Sequence, residues 1–529
     1  MDAAEFPLLI AALLDPRAYA HPVDRVGHIE THISHVLLAG DYAYKLKKPL
    51  DLGFVDFSTP ERRRFCCEEE LRLNRRLAPD LYLDVVPVTG SPGSPRMGAG
   101  PTADGPVLEY AVRMVRFPQA ALLNRCVLEP GLVEGLAVRV ASFHSAIPVA
   151  PPESPFGTPN AVLAPMIENL RQVRARAEQA DNRQRIDRLE DWTRRRWAEL
   201  TPILEARREE GRVRECHGDM HRGNIALVGG EPVIFDALEF NPALRWIDTA
   251  SELAFLIMDL EEAGELIPAR NLLNRYLELG GDYGALQVLD FYKVYRALVR
   301  AKVLAIRLGQ PDQSAAEASA TREECARYLV LAESYTRGRR SRLLVACGLS
   351  GSGKSRLGRR LREALPIIHL RSDVERKRLF GLAADARTTG ALGSGIYFPQ
   401  ATEWTYQRLY RLADLLLASH YDVLVDATFL RRTRRGLFRR LAQIREAGFA
   451  MLVLDAPIEI LRRRVVRRLA QGCDASEASL AVLEHQRQAC ECLDQGEREL
   501  AYRIDSSDPP PLESILAAIE SLTGVPLDH

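Results

Sequence analysis

No apolar run in this 529-residue chain approaches the roughly twenty residues that a membrane-crossing helix needs, so no membrane span is expected. The opening stretch, MDAAEFPLLIAALLDP, carries Asp2 and Glu5 where a secretion signal carries a basic leader, and is read as a first helix. Nine cysteines are scattered, and neither Cys66 with Cys67 nor Cys490 with Cys492 is matched by a second pair at metal-ligand spacing. They are expected to be reduced thiols, mostly in cores, of a cytoplasmic protein. The formal net charge is zero, which argues against a protein built mainly to coat nucleic acid. There is also no stripe of aromatic residues on which successive bases could stack, and no internal repeat.

The chain does have the makings of several folded units. It is 47% hydrophobic and 27% charged, as globular proteins are, and at about 150 residues per domain its length suggests three or four packed units. The charge is unevenly spread: the part up to Ser341 has roughly five excess acids and the remainder roughly five excess bases.

The basic remainder opens on GLSGSGKS, Gly348 to Ser355, which has glycine, lysine and hydroxyl at the offsets of a phosphate-cradling loop. LLVAC before it reads as a buried strand, and Leu357, Leu361 and Leu365 after it recur at helical spacing, so the loop joins strand to helix. Gly348, Gly351 and Gly353, with Ser352 among them, turn backbone amides onto phosphate oxygens. Lys354 neutralises phosphate charge and Ser355 offers a hydroxyl to magnesium.

In the first half, VGHIETHISHVLLAGDYAYKLKK (Val26 to Lys48) alternates apolar and polar residues and turns at Ala39-Gly40-Asp41, the pattern of an antiparallel hairpin. Lys45 and Lys47 share one face of its second strand, and either can point into a cleft. A helix follows from a Ser58/Thr59 cap and Pro60, with Phe65, Leu71, Leu73 and Leu77 on or beside its buried side and Glu70 within it. Thr89 to Pro106 is rich in Gly, Pro and Ser and is expected to be an exposed loop. His144 lies on an amphipathic helix as a packed core histidine, and Val162 to Glu210 reads as a helical hairpin. The four histidines His21, His28, His32 and His35 have no metal-ligand spacing. CHGDMHRGNIAL and the later VIFDALEF put Asp219 and Asn224 five residues apart in a loop and Asp236 at the end of a strand. Their three oxygen-bearing side chains can converge on one metal–phosphate site.

HGDMHRGN with FDALEF resembles the catalytic loop and metal-binding strand of the aminoglycoside phosphotransferase and choline kinase group of the protein-kinase-like superfamily. The resemblance implies Asp219 as the base toward an acceptor hydroxyl, Asn224 and Asp236 as magnesium ligands, and His217 as the residue orienting the loop. It implies Lys45 paired with Glu70 on the ATP phosphates, Lys47 remaining an alternative, and Asp248 as the acid that braces the loop. The glycine-rich phosphate loop common in that group is absent here. The acidic patch Glu261, Glu262 and Glu265 is either a solvated face or an attractor for a cationic acceptor.

After Ser355 the chain alternates strand and helix, which implies parallel strands with ligands at their carboxyl ends, where Asp373, Asp426 and Asp455 fall. Asp373 and Arg376, three apart in SDVERKRL, can face one pocket as carboxylate and cation. This third resembles phosphate-loop kinases of the zeta-toxin, polynucleotide kinase and gluconate kinase type. The resemblance implies Asp373 as the acid orienting the acceptor, Asp426 near magnesium, and a lid helix from which Arg464, Arg467 or Arg468 closes over phosphate.

The expected architecture is therefore a mixed α+β and α/β chain: a helical segment 1–25, a kinase-like N-lobe 26–117, a helical C-lobe 118–337, a linker 338–341 and a phosphate-loop domain 342–529. The expected function is a bifunctional kinase using ATP and Mg2+. Its first acceptor is a hydroxyl-bearing small molecule such as a sugar or aminosugar, and its second is a small molecule or a nucleotide or nucleic-acid hydroxyl. The alternative is a nucleotide-binding module in one half that regulates the other.

Overall fold

The computed structural model describes residues 5–527 apart from 52, 54, 99–105, 178–179, 310–312, 385, 387, 389–395, 397 and 472–475. It divides into two compact units, Met1–Leu260 with Tyr295–Tyr328, and Glu261–Val294 with Leu329–His529.

The first unit opens with α1 (Phe6–Leu13), which packs Leu9 and Leu13 into the core under a six-stranded antiparallel sheet. Its strands are β1 (Val26–Glu30), β2 (Ser34–Ala39), β3 (Tyr42–Lys47), β4 (Tyr82–Ser91), β5 (Ser94–Met97) and β6 (Val107–Val115), in the order β1-β2-β3-β6-β4-β5. The stretch read as one hairpin thus holds three strands. A second turn forms at Thr31, whose backbone amide and hydroxyl both donate to the Ser34 carbonyl, at 2.9 and 3.0 Å. The segment Thr89–Pro106 also departs from its expected loop. β4 runs on to Ser91 and pairs with β5, Val88 opposite Met97, because Gly90 (φ 100°) lets the strand approach its partner closely. Residues 99–105 of that segment lie outside the described residues.

Helix α2 (Pro60–Asn74) starts on Thr59, whose hydroxyl accepts the Arg62 amide, with Pro60 in the first turn. Its buried stripe is Arg63, Cys66, Cys67, Glu70, Leu73 and Asn74, alternating spacings of three and four. Phe65, expected near the buried side, is 61% exposed, because the stripe is phased to bring Glu70 under β3. Helices α3 (Pro130–Ala146), α4 (Pro159–Arg174) and α5 (Ala180–Glu209) follow, the last two forming the expected helical hairpin. Short strands β7 (Val213–Glu215), β8 (Ile225–Val228), β9 (Glu231–Ile234) and β10 (Trp246–Asp248), the one-turn α6 (Pro242–Arg245) and α7 (Thr249–Glu262) frame the HGD loop. β8 pairs with β9, and β7 with β10.

Helix α8 (Leu266–Gly280) and the start of α9 (Leu286–Leu308) belong to the second unit, although α10 (Ala315–Ser334) still separates them in sequence from the phosphate loop. From there strand and helix alternate as expected: β11 (Arg342–Cys347), α11 (Lys354–Ala364), β12 (Ile367–Arg371), α12 (Ser372–Leu379), α13 (Pro399–Ala418), β13 (Asp422–Asp426) and α14 (Arg432–Ile444). Then come β14 (Gly448–Asp455), α15 (Ile458–Gln471), α16 (Leu480–Ala489), α17 (Gln495–Arg498), β15 (Ala501–Asp505) and α18 (Leu512–Thr523). The five strands are parallel in the order β12-β13-β11-β14-β15. β11 is buried along its whole length, as a central parallel strand must be, and its Leu344 and Ala346 share a core with Leu361, Leu424, Leu452, Ile515 and Ile519. Among the described residues no helix is long and apolar enough to cross a membrane.

Candidate active sites

Period-two alternation turns Lys45 and Lys47 of β3 to the same side, where α2 presents Glu70. The Lys45 ammonium donates to Glu70 Oε1 at 2.9 Å and to Asp236 Oδ1. The Lys47 ammonium donates to the other Glu70 oxygen and to Glu239. One carboxylate therefore holds both lysines, but only Lys45 reaches the residue that ends the VIFD strand. Burial works to raise the Glu70 carboxyl, and the two ammonium groups outweigh it, holding it down at about 2. Lys45 is raised well above its ordinary value by Asp236 and Glu70 against the opposing pull of burial.

The loop carrying Asp219 is held from several sides. Asn224 donates its amide to the Asp219 backbone oxygen (3.0 Å) and carboxylate (2.9 Å). His217 Nδ1 accepts the Asp219 amide at 3.3 Å, so its other nitrogen carries the proton and donates to the Phe235 carbonyl at 2.8 Å. Phe235 in turn donates its amide to Asn224 at 2.9 Å, which sets Asp236 beside the loop. Asp236 has a φ of 66°, a region few non-glycine residues adopt. Two residues of the first lobe fix it there: the Tyr82 hydroxyl accepts the Asp236 amide (3.1 Å) and Asn74 Oδ1 accepts the Ala237 amide (2.9 Å). Burial favours a neutral Asp219, yet His221, His217 and Arg296 outweigh it and keep the carboxyl below the usual range.

Asp248, expected to brace this loop, is instead locked in a buried pair with Arg207 at 2.7 and 2.8 Å. The brace is Glu252, one helical turn on, whose carboxylate takes the Gly218 amide at 2.6 Å and His144 Nε2 at 2.8 Å. Its position follows from α7, where Asp248 caps the first turn through the Ala250 amide and Glu252 faces inward. The acidic patch is not one face either: Glu261 is engaged by Lys293 at 3.1 Å and by the Tyr335 hydroxyl at 2.6 Å.

In the second unit the phosphate loop sits where sequence spacing puts it, between β11 and α11. Lys354 donates to the Gly348 and Leu349 carbonyls at 2.8 and 3.0 Å, and the Ser355 hydroxyl donates to Asp426 Oδ2 at 2.7 Å. Burial pushes the Asp426 carboxyl up, but His369, Lys354 and Ser355 together hold it below its ordinary range. A cavity of about 950 Å3 opens over the loop and is lined by Gly351, Gly353, Lys354, Ser355, Asp373, Arg376, Asp426 and Arg467. Gly348 and the buried Ser352 lie just beneath it, Ser352 Oγ being 3.5 Å from the Lys354 ammonium. Arg464 is anchored to the Ser506 side chain (2.8 Å) and Arg468 to the Ala478 carbonyl (3.3 Å). Ten arginine and lysine side chains line the cavity against two carboxylates.

Neither Glu239, Glu252, Tyr82 nor His369 stands out in the sequence. Only Glu239, three residues after Asp236 in FDALEF, sits inside a stretch that the motifs mark.

Two kinase-type units, one carrying the HGD loop and one the phosphate loop, define an ATP-dependent kinase. Residues 61–289 match the model described as "Phosphotransferase enzyme family" and residues 343–493 the one described as "AAA domain". The chain belongs to a family that includes the uncharacterized protein Rv2004c of Mycobacterium tuberculosis (strain ATCC 25618 / H37Rv) and Mb2027c of Mycobacterium bovis. Each is 30% identical over 511 residues, covering 93% of this chain and 95% of the relative. Among solved structures it is similar to the amicoumacin kinase hAmiN (14% identity, TM-score 0.39, 62% of this chain and 94% of that one). It is also similar to a gluconokinase from Sinorhizobium meliloti 1021 (23% identity, TM-score 0.25, 35% of this chain and 95% of that one).

Proposed function

We propose that the chain is a bifunctional cytoplasmic phosphotransferase that moves the γ-phosphate of ATP to hydroxyl acceptors at two separate sites. The observation that supports this reading is that each unit brings its own candidate groups together: Lys45, Asp236, Asn224 and Asp219 in one, Lys354, Ser355, Asp426 and Asp373 in the other. The first set offers carboxylate and carboxamide oxygens and the second carboxylate and hydroxyl oxygens, the donors a hard divalent cation prefers, which supports magnesium over a softer metal.

At the first site Lys45, steadied by Glu70, holds the nucleotide phosphates, and Asn224 and Asp236 hold the magnesium. Bound magnesium would screen the phosphate charge. Asp219 takes the proton of the acceptor hydroxyl as its oxygen bonds to the γ-phosphorus. The bond from that phosphorus to the β-phosphate oxygen breaks, and ADP leaves with the electron pair. His217 keeps the loop in register. At the second site Lys354 and Arg467 face the phosphates, Ser355 and Asp426 hold magnesium, and Asp373 receives the acceptor proton with Arg376 beside it. A sugar or aminosugar is the acceptor class proposed for the first site. The cationic excess lining the second cavity supports an acceptor that itself carries negative charge, such as a nucleotide or an acidic small molecule.

The test is transfer from γ-labelled ATP, with magnesium, to pooled aminosugars, sugars, nucleosides and 5′-hydroxyl oligonucleotides. Wild type is compared with Asp219→Asn and Lys354→Ala. Two products, each lost in one variant only, are expected. If either single change abolished all transfer, two independent sites would be the wrong description.

A further inference from the structure

Helix α8 lies ahead of the phosphate loop in sequence, yet it packs along β12, the edge strand of the parallel sheet. An edge strand presents unpaired backbone groups. Asn274, 5% exposed, satisfies two of them: its amide donates to the Ile367 carbonyl at 3.0 Å, and its oxygen accepts the His369 amide at 2.8 Å. A carboxamide has the donor–acceptor geometry of a peptide group, so this one side chain stands in for a rung of a neighbouring strand. The same helix holds the segment beyond. Glu278 accepts Arg371 at 2.7 Å, and the Arg378 guanidinium donates to the Glu278 carbonyl. Just after α8, the Tyr283 hydroxyl donates to Glu375 at 3.3 Å.

The His369 backbone faces Asn274, and its ring faces the phosphate loop. Nε2 lies 3.3 Å from Asp426 Oδ2, the same oxygen that accepts the Ser355 hydroxyl. An ionised carboxylate only accepts, so this nitrogen is the donor. The ring packs against Gly358 of α11, where a Cβ would lie 2.3 Å from its Cε1.

We propose that His369 and Asn274 are positioning residues of the phosphate-loop site, Asn274 setting the height of β12 and His369 fixing the Asp426 carboxylate so that it and Ser355 meet the metal together. The proposal rests on Asp426 being a metal-holding residue. It makes α8, which the chain supplies before the phosphate-loop domain begins, a working part of that domain. Removing a partner that orients a metal ligand typically weakens metal binding by about 10- to 100-fold.

The experiment reads the second site alone. In the full-length chain, hydrogen exchange of the peptide covering residues 348–355 is followed with AMP-PNP while MgCl2 is titrated, and the midpoint of protection is recorded. His369→Phe keeps the bulk and removes the donor, and should raise that midpoint about tenfold. His369→Gln, whose terminal amide can take the place of Nε2, should restore it. Asn274→Leu should speed exchange across residues 367–371 and move the midpoint in the same direction. Should His369→Phe fail to fold, Gly358→Ala, which displaces the ring without removing it, should give the same shift. A midpoint unchanged in the folded His369 or Gly358 variant, while Asp426→Asn raises it, overturns the positioning role alone. A midpoint unchanged in Asp426→Asn as well overturns the metal role of Asp426 and the proposal with it.

Discussion

Glu252 accepts the backbone amide of Gly218 at 2.6 Å, and from the other side Arg296 donates to the Gly218 carbonyl at 3.0 Å. Gly218 has a φ of 90°, and a Cβ there would lie 2.8 Å from the Leu244 carbonyl oxygen. The residue before Asp219 is thus held at both of its backbone polar atoms, and the Asp219 carboxylate inherits its position from α7 and α9. Replacing Glu252 with Leu leaves a buried histidine and a buried amide without their acceptor. Urea denaturation should show a loss of about 3 kcal/mol. Glu252→Gln keeps an acceptor oxygen and should lose less than half of that.

The two lysines of β3 should separate in their effects. Lys45→Met removes the ammonium that reaches Asp236 and should abolish the thermal shift that ATP gives the first unit, with the fold retained. Lys47→Met strands Glu239 and half of Glu70 in a fully buried position, and should lower stability by about 3–5 kcal/mol in chemical denaturation.

Acid should undo the same network. The Glu70 carboxyl is held at about 2 against an ordinary 4.5, so its stabilisation is complete above pH 4.5 and is lost as pH falls toward 2. That depression corresponds to about 3 kcal/mol. Glu70→Gln should therefore be less stable than wild type at pH 7 and converge with it near pH 2, as measured by denaturation midpoints across that range. A constant gap between the two proteins over the whole range would rule out this origin.

Gly348 has a φ of 148°, and a Cβ there would lie 2.4 Å from the Leu454 carbonyl oxygen. Gly348→Ala must shift β14 or the loop. It should cost about 1–3 kcal/mol and remove ATP protection of residues 348–355 in hydrogen exchange, leaving the first unit's response to nucleotide intact.

Local chemistry made the phosphate loop, the HGD loop and the alternation of the last third legible in the sequence. A glycine-rich turn must join a strand to a helix to present its amides, and period-two spacing forces Lys45 and Lys47 onto one face. Sequence could not choose between those lysines, because both satisfy the alternation. The choice depends on which one reaches Asp236, 191 residues further along the chain. Asp248, the acid expected to brace the loop, ends β10, and Glu252 lies four residues on in α7. The fold gives Arg207 to the first and the Gly218 amide to the second. Asn274 and His369 have no motif at all. Their significance lies in an edge strand needing partners and a carboxylate needing a donor, and only the packing of α8 on β12 decides which side chains meet those needs. The sequence by itself thus determined the two fold classes and the candidate groups of each loop, through spacing along the chain. The tertiary structure decided which buried groups hold them still, because hydrogen-bond partners far apart in sequence leave no periodic trace.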